Sequence, residues 1–278
     1  MRRFRYVVCD VFTDTPLAGN QLAVFTDARD LDPLTMQALA KEMNFSETVF
    51  VLPPEDGGHA KIRIFTPSNE LPFAGHPVLG SAFVLAAPLQ LGEIRLETES
   101  GVIPVTLERE GARIVFGWML QPIPDFEPYD RAQDLQEVLA VRSSLPVELY
   151  HLGPDHVFLE LGSEEEVAGL APDFNALAGF EVGVNCFAGS GKHWKTRMFA
   201  PADGVAEDPA TGSAAGPLAI HLARHGRIDF GDEIEISQGA ELKRPSKLYA
   251  RATGSADRIE RVEVGGSAVV VARGEFRL

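Results

Sequence analysis

Val205-Ala206-Glu207-Asp208-Pro209-Ala210-Thr211-Gly212-Ser213-Ala214-Ala215-Gly216-Pro217-Leu218-Ala219-Ile220-His221-Leu222-Ala223-Arg224-His225-Gly226 is the stretch around which the chain is organised. Its centre, Glu207 to Ser213, reads as a helix start. Asp208 can cap, Pro209 suits the first helical position, and the small residues after it let a ligand approach free backbone N–H groups. Such a start suits an anion. A weaker copy occurs earlier as Ala74-Gly75-His76-Pro77-Val78-Leu79-Gly80-Ser81-Ala82, so the chain is expected to present two helix starts to one cleft.

Working outward, the copies extend into an internal repeat. Arg63-Ile64-Phe65-Thr66-Pro67 matches Arg197-Met198-Phe199-Ala200-Pro201, and His76-Pro77 aligns with Asp208-Pro209. Both halves read as strand, loop, Pro-initiated apolar helix and β-hairpins, which predicts a duplicated α+β unit with strands wrapped round one buried helix. Asp32-Pro33 opens a further helix that stops near Asn44. Gln121 to Pro128 carries three prolines and is read as the link between domains 1–122 and 123–278, the last strand being free to return to the first domain. Pro217 falls inside the second apolar helix, where it should bend it; Leu85 is taken as its counterpart in the first.

With 278 residues, of which 45% are apolar, the chain can bury a core in each half. The net charge of −15 argues against a nucleic-acid partner, whose phosphates need clustered Lys and Arg. No run reaches the length of a membrane span, and Asp10 interrupts any signal-peptide core, so a soluble, cytoplasmic protein is expected. The two cysteines, Cys9 and Cys186, have neither metal-ligand nor disulfide spacing.

Glu47 lies in Asn44-Phe45-Ser46-Glu47-Thr48-Val49-Phe50, a short polar link between apolar segments. A partly desolvated carboxylate there can titrate in the general acid/base range; a surface loop glutamate is the plainer reading. The second half has only Val184-Asn185-Cys186 at the aligned place, so a catalytic Glu47 would act as a single base. His76 and Asp208 can both be simple caps. Histidine caps poorly, however, and a His and an Asp at equivalent points of two repeats favour a joint role. Gly75, Thr211, Gly212 and Ser213 would offer backbone N–H groups and small hydroxyls to a substrate carboxylate. Gly189-Ser190-Gly191-Lys192 lacks the first glycine of a phosphate loop and reads as a hairpin turn. His221 and His225 stand four apart without a third ligand, and read as a helix-end pair rather than a metal site.

Taken together, Pro16-Leu17-Ala18-Gly19-Asn20, Glu42 to Glu47, Arg63 to Pro67, Asn69-Glu70-Leu71-Pro72-Phe73-Ala74-Gly75-His76-Pro77, Val184 to Gly189 and Glu207 to Gly226 resemble the PhzF family of phenazine-biosynthesis proteins along the whole chain. The resemblance implies a fold similar to diaminopimelate epimerase: two pseudo-symmetric barrel-like domains, each around a central helix, with the active site in the interdomain cleft. It also implies isomerisation of trans-2,3-dihydro-3-hydroxyanthranilate without metal or organic cofactor, by a homodimer. Glu47 would then move the proton from C3 to C1, with His76 and Asp208 as its catalytic partners. Ser46, Gly75, Thr211, Gly212 and Ser213 would bind substrate. Related epimerases place paired cysteines at the two helix starts. This sequence does not, so two-thiol racemisation is not expected. Other readings left open are a PhzF-like isomerase or epimerase for another small amino or hydroxy acid, and a non-catalytic protein that binds a small carboxylate.

Overall fold

The computed structural model describes residues 2–278 and divides into two compact units. One takes the described residues up to Leu120 together with Gly265–Leu278, and the other is Gln121–Val264. The chain first forms β1 (Arg3–Val11), β2 (Asn20–Phe25), α1 (Pro33–Met43), β3 (Glu47–Leu52), β4 (Ala60–Phe65), β5 (Glu70–Leu71), α2 (Gly75–Leu89), β6 (Glu93–Thr98), β7 (Gly101–Glu110) and β8 (Arg113–Gln121). Then come β9 (Asp125–Pro128), α3 (Ala132–Leu139), β10 (Glu148–His151), β11 (Asp155–Glu160), α4 (Glu164–Ala168), α5 (Phe174–Ala178), β12 (Gly183–Ser190), β13 (His193–Ala200) and β14 (Val205–Asp208). The last elements are α6 (Gly212–Arg224), β15 (Glu233–Gln238), β16 (Ser246–Ser255), β17 (Arg258–Gly266) and β18 (Ala268–Arg277).

The duplication is written in the strand pairing. In the first unit β1 is antiparallel to β2, β2 parallel to β3, β3 antiparallel to β4, β4 parallel to β6 and β6 antiparallel to β7, with β5 antiparallel beside β4. In the second, β10, β11, β12, β13, β15 and β16 repeat those directions in that order, with β14 antiparallel beside β13. The final strand β18 pairs with β1, inside the first unit.

Each pairing series surrounds one apolar helix. The α2 helix packs on β1, β2, β3, β6, β7 and β18, and its residues from Gly75 to Phe83 are buried all round, as its unbroken apolar sequence requires. Gly80 allows the close approach. A Cβ there would lie 2.6 Å from Leu22 and 2.7 Å from Val11. The α6 helix packs on β16, and its Ala214, Ala215 and Leu218 line one small cavity with Phe158, Asn185, Thr196, Ile236 and Leu248 of the surrounding strands. Each fully buried aliphatic side chain of this kind contributes about 2 kcal/mol. Among the described residues no helix is long and apolar enough to cross a membrane.

Three sequence readings change. Asp208 does not cap a helix: it is the last residue of β14, and α6 begins only at Gly212, with Thr211 as its N-cap. Nor is Asp208 the counterpart of His76. Ile64 faces Leu71 as Met198 faces Asp208. Arg63 grips Glu70 with two bonds of 2.6 Å, as Arg197 grips Glu207 with two of 2.8 Å. The equivalent stretches are therefore Glu70-Leu71-Pro72-Phe73-Ala74-Gly75-His76 and Glu207-Asp208-Pro209-Ala210-Thr211-Gly212-Ser213. Asp208 corresponds to Leu71, and His76 to Ser213. The Arg-to-Glu spacing is 7 residues in the first repeat and 10 in the second, because the turn Pro201–Asp203 is inserted there; the X-Pro step that matches Asp208-Pro209 is Leu71-Pro72, not His76-Pro77. Finally, Asp125–Pro128 is a strand rather than a bare link. It pairs with β10, and Phe126 packs on Tyr150, with Pro128 at the strand's end.

Candidate active site

In the first unit, Asp32 caps α1 through the N–H groups of Leu34 and Thr35, and Asn44 ends it in the left-handed conformation. Three residues later the chain enters β3, and Glu47 is that strand's first residue, beside Ser46. The parallel register puts Glu47 opposite Leu22 of β2, two residues beyond Asn20. Asn20 follows a turn in which Asp10 accepts from the Leu17 N–H at 2.7 Å. His76 arrives from the first turn of α2, whose N-cap Ala74 provides no side-chain bond.

These residues meet. His76 Nδ1 lies 3.3 Å from Glu47 Oε2 and 3.3 Å from Asn20 Nδ2. The Glu47 side chain is 15% exposed and that of His76 is 3% exposed. Burial pushes the His76 pKa down to about 3, against a hydrogen bond to the Gln21 backbone, so the ring is neutral at pH 7. His76 Nε2 is buried and has no partner among the described residues. An orphaned buried polar atom costs about 1–3 kcal/mol, a cost that a ligand partner would remove. The N–H groups of Gly75 and His76 lie in the helix's first turn, where no intrahelical acceptor exists.

In the second unit, Gln238 organises the link from Asp208 to α6. Its amide nitrogen donates to Asp208 O at 2.8 Å and to Thr211 Oγ1 at 2.9 Å, while its oxygen accepts from Thr211 N at 3.1 Å. Thr211 Oγ1 in turn donates to the Asp208 carboxylate at 2.7 Å, and Ser246 Oγ donates to Pro209 O at 2.9 Å. Thr211 thus has its N–H and its hydroxyl engaged inside the protein, and acts on Asp208. Ala214 N bonds back to Thr211 O, which leaves the N–H groups of Gly212 and Ser213 as the donors at the start of α6. Ser213 Oγ lies 2.9 Å from His156 Nε2. Gln238, Ser246, His156 and Asn20 were not read as site residues from the sequence, although Asn20 lies in one of the stretches that carry the family resemblance; their nearness in space to the helix starts is what gives them away.

Two other clusters are set aside. Glu148, His221 and His225 have ligand types that suit a divalent metal and lie within 4.8 Å of one another. Arg224 already donates to the same Glu148 oxygen at 2.6 Å, so the site carries its own cation. Burial pushes the Glu148 pKa up, but hydrogen bonds from His221, Arg224 and His225 outweigh it and hold the carboxyl well below its usual range. The two thiols are buried in β1 and β12. Burial, with Asp10 beside it, raises the Cys9 thiol far above its ordinary value, and burial pushes Cys186 up to about 12. Neither is a nucleophile or proton carrier at neutral pH.

The family described as phenazine biosynthesis-like protein matches residues 9–274. The trans-2,3-dihydro-3-hydroxyanthranilate isomerase of Pseudomonas fluorescens is 52% identical over 275 residues, which cover 98% of this chain and 99% of that protein. Among solved structures, the phenazine biosynthesis protein of the PhzF family from Bacillus anthracis gives a TM-score of 0.85 at 23% identity, covering 100% of both chains. A hydroxyproline epimerase from Agrobacterium vitis gives 0.71 at 11% identity, covering 99% of this chain and 92% of its own. The two structures bear on the fold, which is the duplicated α+β architecture expected from the sequence.

Proposed function

The chain belongs to the phenazine biosynthesis-like protein family, and from that premise we propose that it is a trans-2,3-dihydro-3-hydroxyanthranilate isomerase, the activity named for relatives 52–53% identical to it. The reaction is a proton shift from C3 to C1. The C3–H bond is conjugated through the ring diene with the carboxylate, so removing the proton spreads negative charge into the ring and onto the carboxylate. Groups that hold the carboxylate therefore bind the transition state more tightly than the substrate.

Glu47 is the base that takes the C3 proton and returns it at C1. His76 offers its open Nε2 to a polar group of the substrate and keeps Nδ1 within 3.3 Å of the Glu47 carboxylate. Asp208, its carboxylate held by Thr211, accepts from the substrate's polar N–H or O–H groups. The N–H groups of Gly212 and Ser213 at the start of α6 bind the carboxylate, assisted by Gly75 and Ser46. No metal or organic cofactor takes part in this scheme, because the substrate delocalises its own charge. In keeping with the family resemblance, we read the enzyme as a cytoplasmic homodimer.

The observation that supports this reading most is the Glu47–His76 pair: a partly buried carboxylate 3.3 Å from a neutral imidazole whose other nitrogen has no partner among the described residues. Incubated with trans-2,3-dihydro-3-hydroxyanthranilate, the protein is expected to convert it to the aminoketone. Failure to convert it, with epimerisation of another small amino or hydroxy acid, would move the proposal to that substrate.

A further inference from the structure

His156 lies on β11, is 1% exposed, and has no role in the proton shift just described. Its Nδ1 faces Asn185 Nδ2 at 3.4 Å. The Asn185 amide is oriented independently of His156. The same nitrogen lies 3.1 Å from Gly183 O and 3.2 Å from Val157 O, and two carbonyls can be served only by the NH₂ end. An amide nitrogen has no lone pair to offer, so His156 Nδ1 carries no proton. Burial pushes the His156 pKa down to about 4, so the ring is neutral at pH 7 and its single proton is on Nε2. That N–H points at Ser213 Oγ, 2.9 Å away.

The direction of this bond decides what Ser213 can do. Accepting from His156, the Ser213 hydroxyl keeps its own hydrogen, for which the described residues provide no acceptor. The opposite tautomer would draw that hydrogen inward and turn oxygen lone pairs towards any anion at the helix start. We propose that His156 is a positioning residue that fixes the Ser213 hydroxyl as a donor to the substrate carboxylate, alongside the N–H groups of Gly212 and Ser213. This rests on the reading of Ser213 as a carboxylate ligand. The repeat makes room for it. Thr48 faces Phe65 as Val184 faces Phe199, so Gly183 stands where the first repeat has Glu47. A Cβ at 183 would lie 2.6 Å from His156 Nδ1. One repeat thus holds the base, and the other, at the matching place, holds the space for an imidazole that polarises a hydroxyl.

The test is steady-state kinetics of Ser213→Ala, His156→Leu, His156→Gln and the double variant His156→Leu/Ser213→Ala with trans-2,3-dihydro-3-hydroxyanthranilate, together with the ¹⁵N NMR spectrum of the imidazoles in the unsubstituted enzyme. Loss of one hydrogen bond to a charged group is expected to lower kcat/KM of Ser213→Ala by roughly tenfold to a hundredfold. His156→Leu should fall by a similar factor, the double variant no further than Ser213→Ala alone, and His156→Gln, which retains an N–H donor, should recover most of the loss. The spectrum should show His156 as the neutral Nε2–H form at pH 7. If Ser213→Ala is impaired while His156→Leu is not, if the two losses multiply, or if the spectrum shows Nδ1–H, the role of His156 is overturned. If Ser213→Ala itself leaves kcat/KM unchanged, the carboxylate reading of Ser213 falls first. The spectrum of the unsubstituted enzyme decides the tautomer even where a variant fails to fold.

Discussion

Gly216→Ala tests how the start of α6 is held. Pro217 has no N–H, so Ser213 O lacks its helical donor. The amide of Gln121 replaces that donor, reaching Ser213 O at 3.3 Å and Gly212 O at 3.1 Å. A methyl group at 216 would run into Gln121 Oε1 and lie 2.6 Å from Val262 Cγ1. Gln121 is 2% exposed, so its amide has no solvent to turn into. Helix propensity favours the alanine by about 1 kcal/mol. Against it stand about 1–3 kcal/mol for the bared Ser213 carbonyl and about 1–3 kcal/mol for overpacking. A net loss near 3 kcal/mol follows, which at roughly 2–4 °C per kcal/mol for a domain of this size lowers the transition by about 6–12 °C. Scanning calorimetry measures it. In a Gln121→Ala background, where the obstructing amide is gone, the same substitution should cost at least about 1 kcal/mol less. A melting temperature that stays or rises in Gly216→Ala, or costs that simply add in the double variant, would refute the reasoning.

Changing both Cys9 and Cys186 to Ser is expected to leave kcat within about twofold of the parent enzyme, since neither thiol ionises near neutral pH; loss of turnover in a folded double variant would restore thiol chemistry. Stability should depend on acid through the buried imidazoles of His76, His156 and His221, all of which burial pushes down. Unfolded histidine titrates near pH 6.5, and the folded values are pushed down to about 4 for His156 and about 3 for His76. The unfolded chain therefore binds the extra protons, and stability that is complete above pH 6.5 declines as the pH falls towards 4 and then 3. Glu148, held low in the fold, adds its own loss below the ordinary carboxylate range. A melting temperature flat from pH 7 to 5 would contradict this, and His156→Gln should make the decline shallower.

Much of this was legible in the residues. The α1 signals Asp32-Pro33 and Asn44 work as their chemistry says. The buried run after Pro77 is the central helix, and Gly189 to Lys192 is the β12–β13 turn, with Ser190 facing His193. His221 and His225 do sit together at the end of α6, but the expectation that no third ligand-type group accompanies them fails, because Glu148 reaches both across more than 70 residues of sequence. What sequence reading missed is side-chain work over long separations. Gln238 reaches Thr211 over 27 residues, His156 reaches Ser213 over 57, and Gln121 reaches Ser213 over 92. No local periodicity encodes such pairs. The bond lost at Pro217 was visible in the sequence, while its replacement by Gln121 was not. The true counterpart of Pro217 is Gly80 rather than Leu85, since Pro209 matches Pro72 and not Pro77. The false match of His76 with Asp208 arose the same way. The Arg63–Glu70 and Arg197–Glu207 pairs are the register marks that correct it, because a bidentate grip fixes geometry better than a shared proline.

The central claim is that Glu47 removes the proton from C3. Substrate carrying deuterium at C3 should lose it from that carbon with the parent enzyme, whereas folded Glu47→Gln should break the C3–D bond at least about a hundredfold more slowly, the usual scale for a positioned general base. Loss of deuterium from C3 with Glu47→Gln at close to the parent rate would contradict the account.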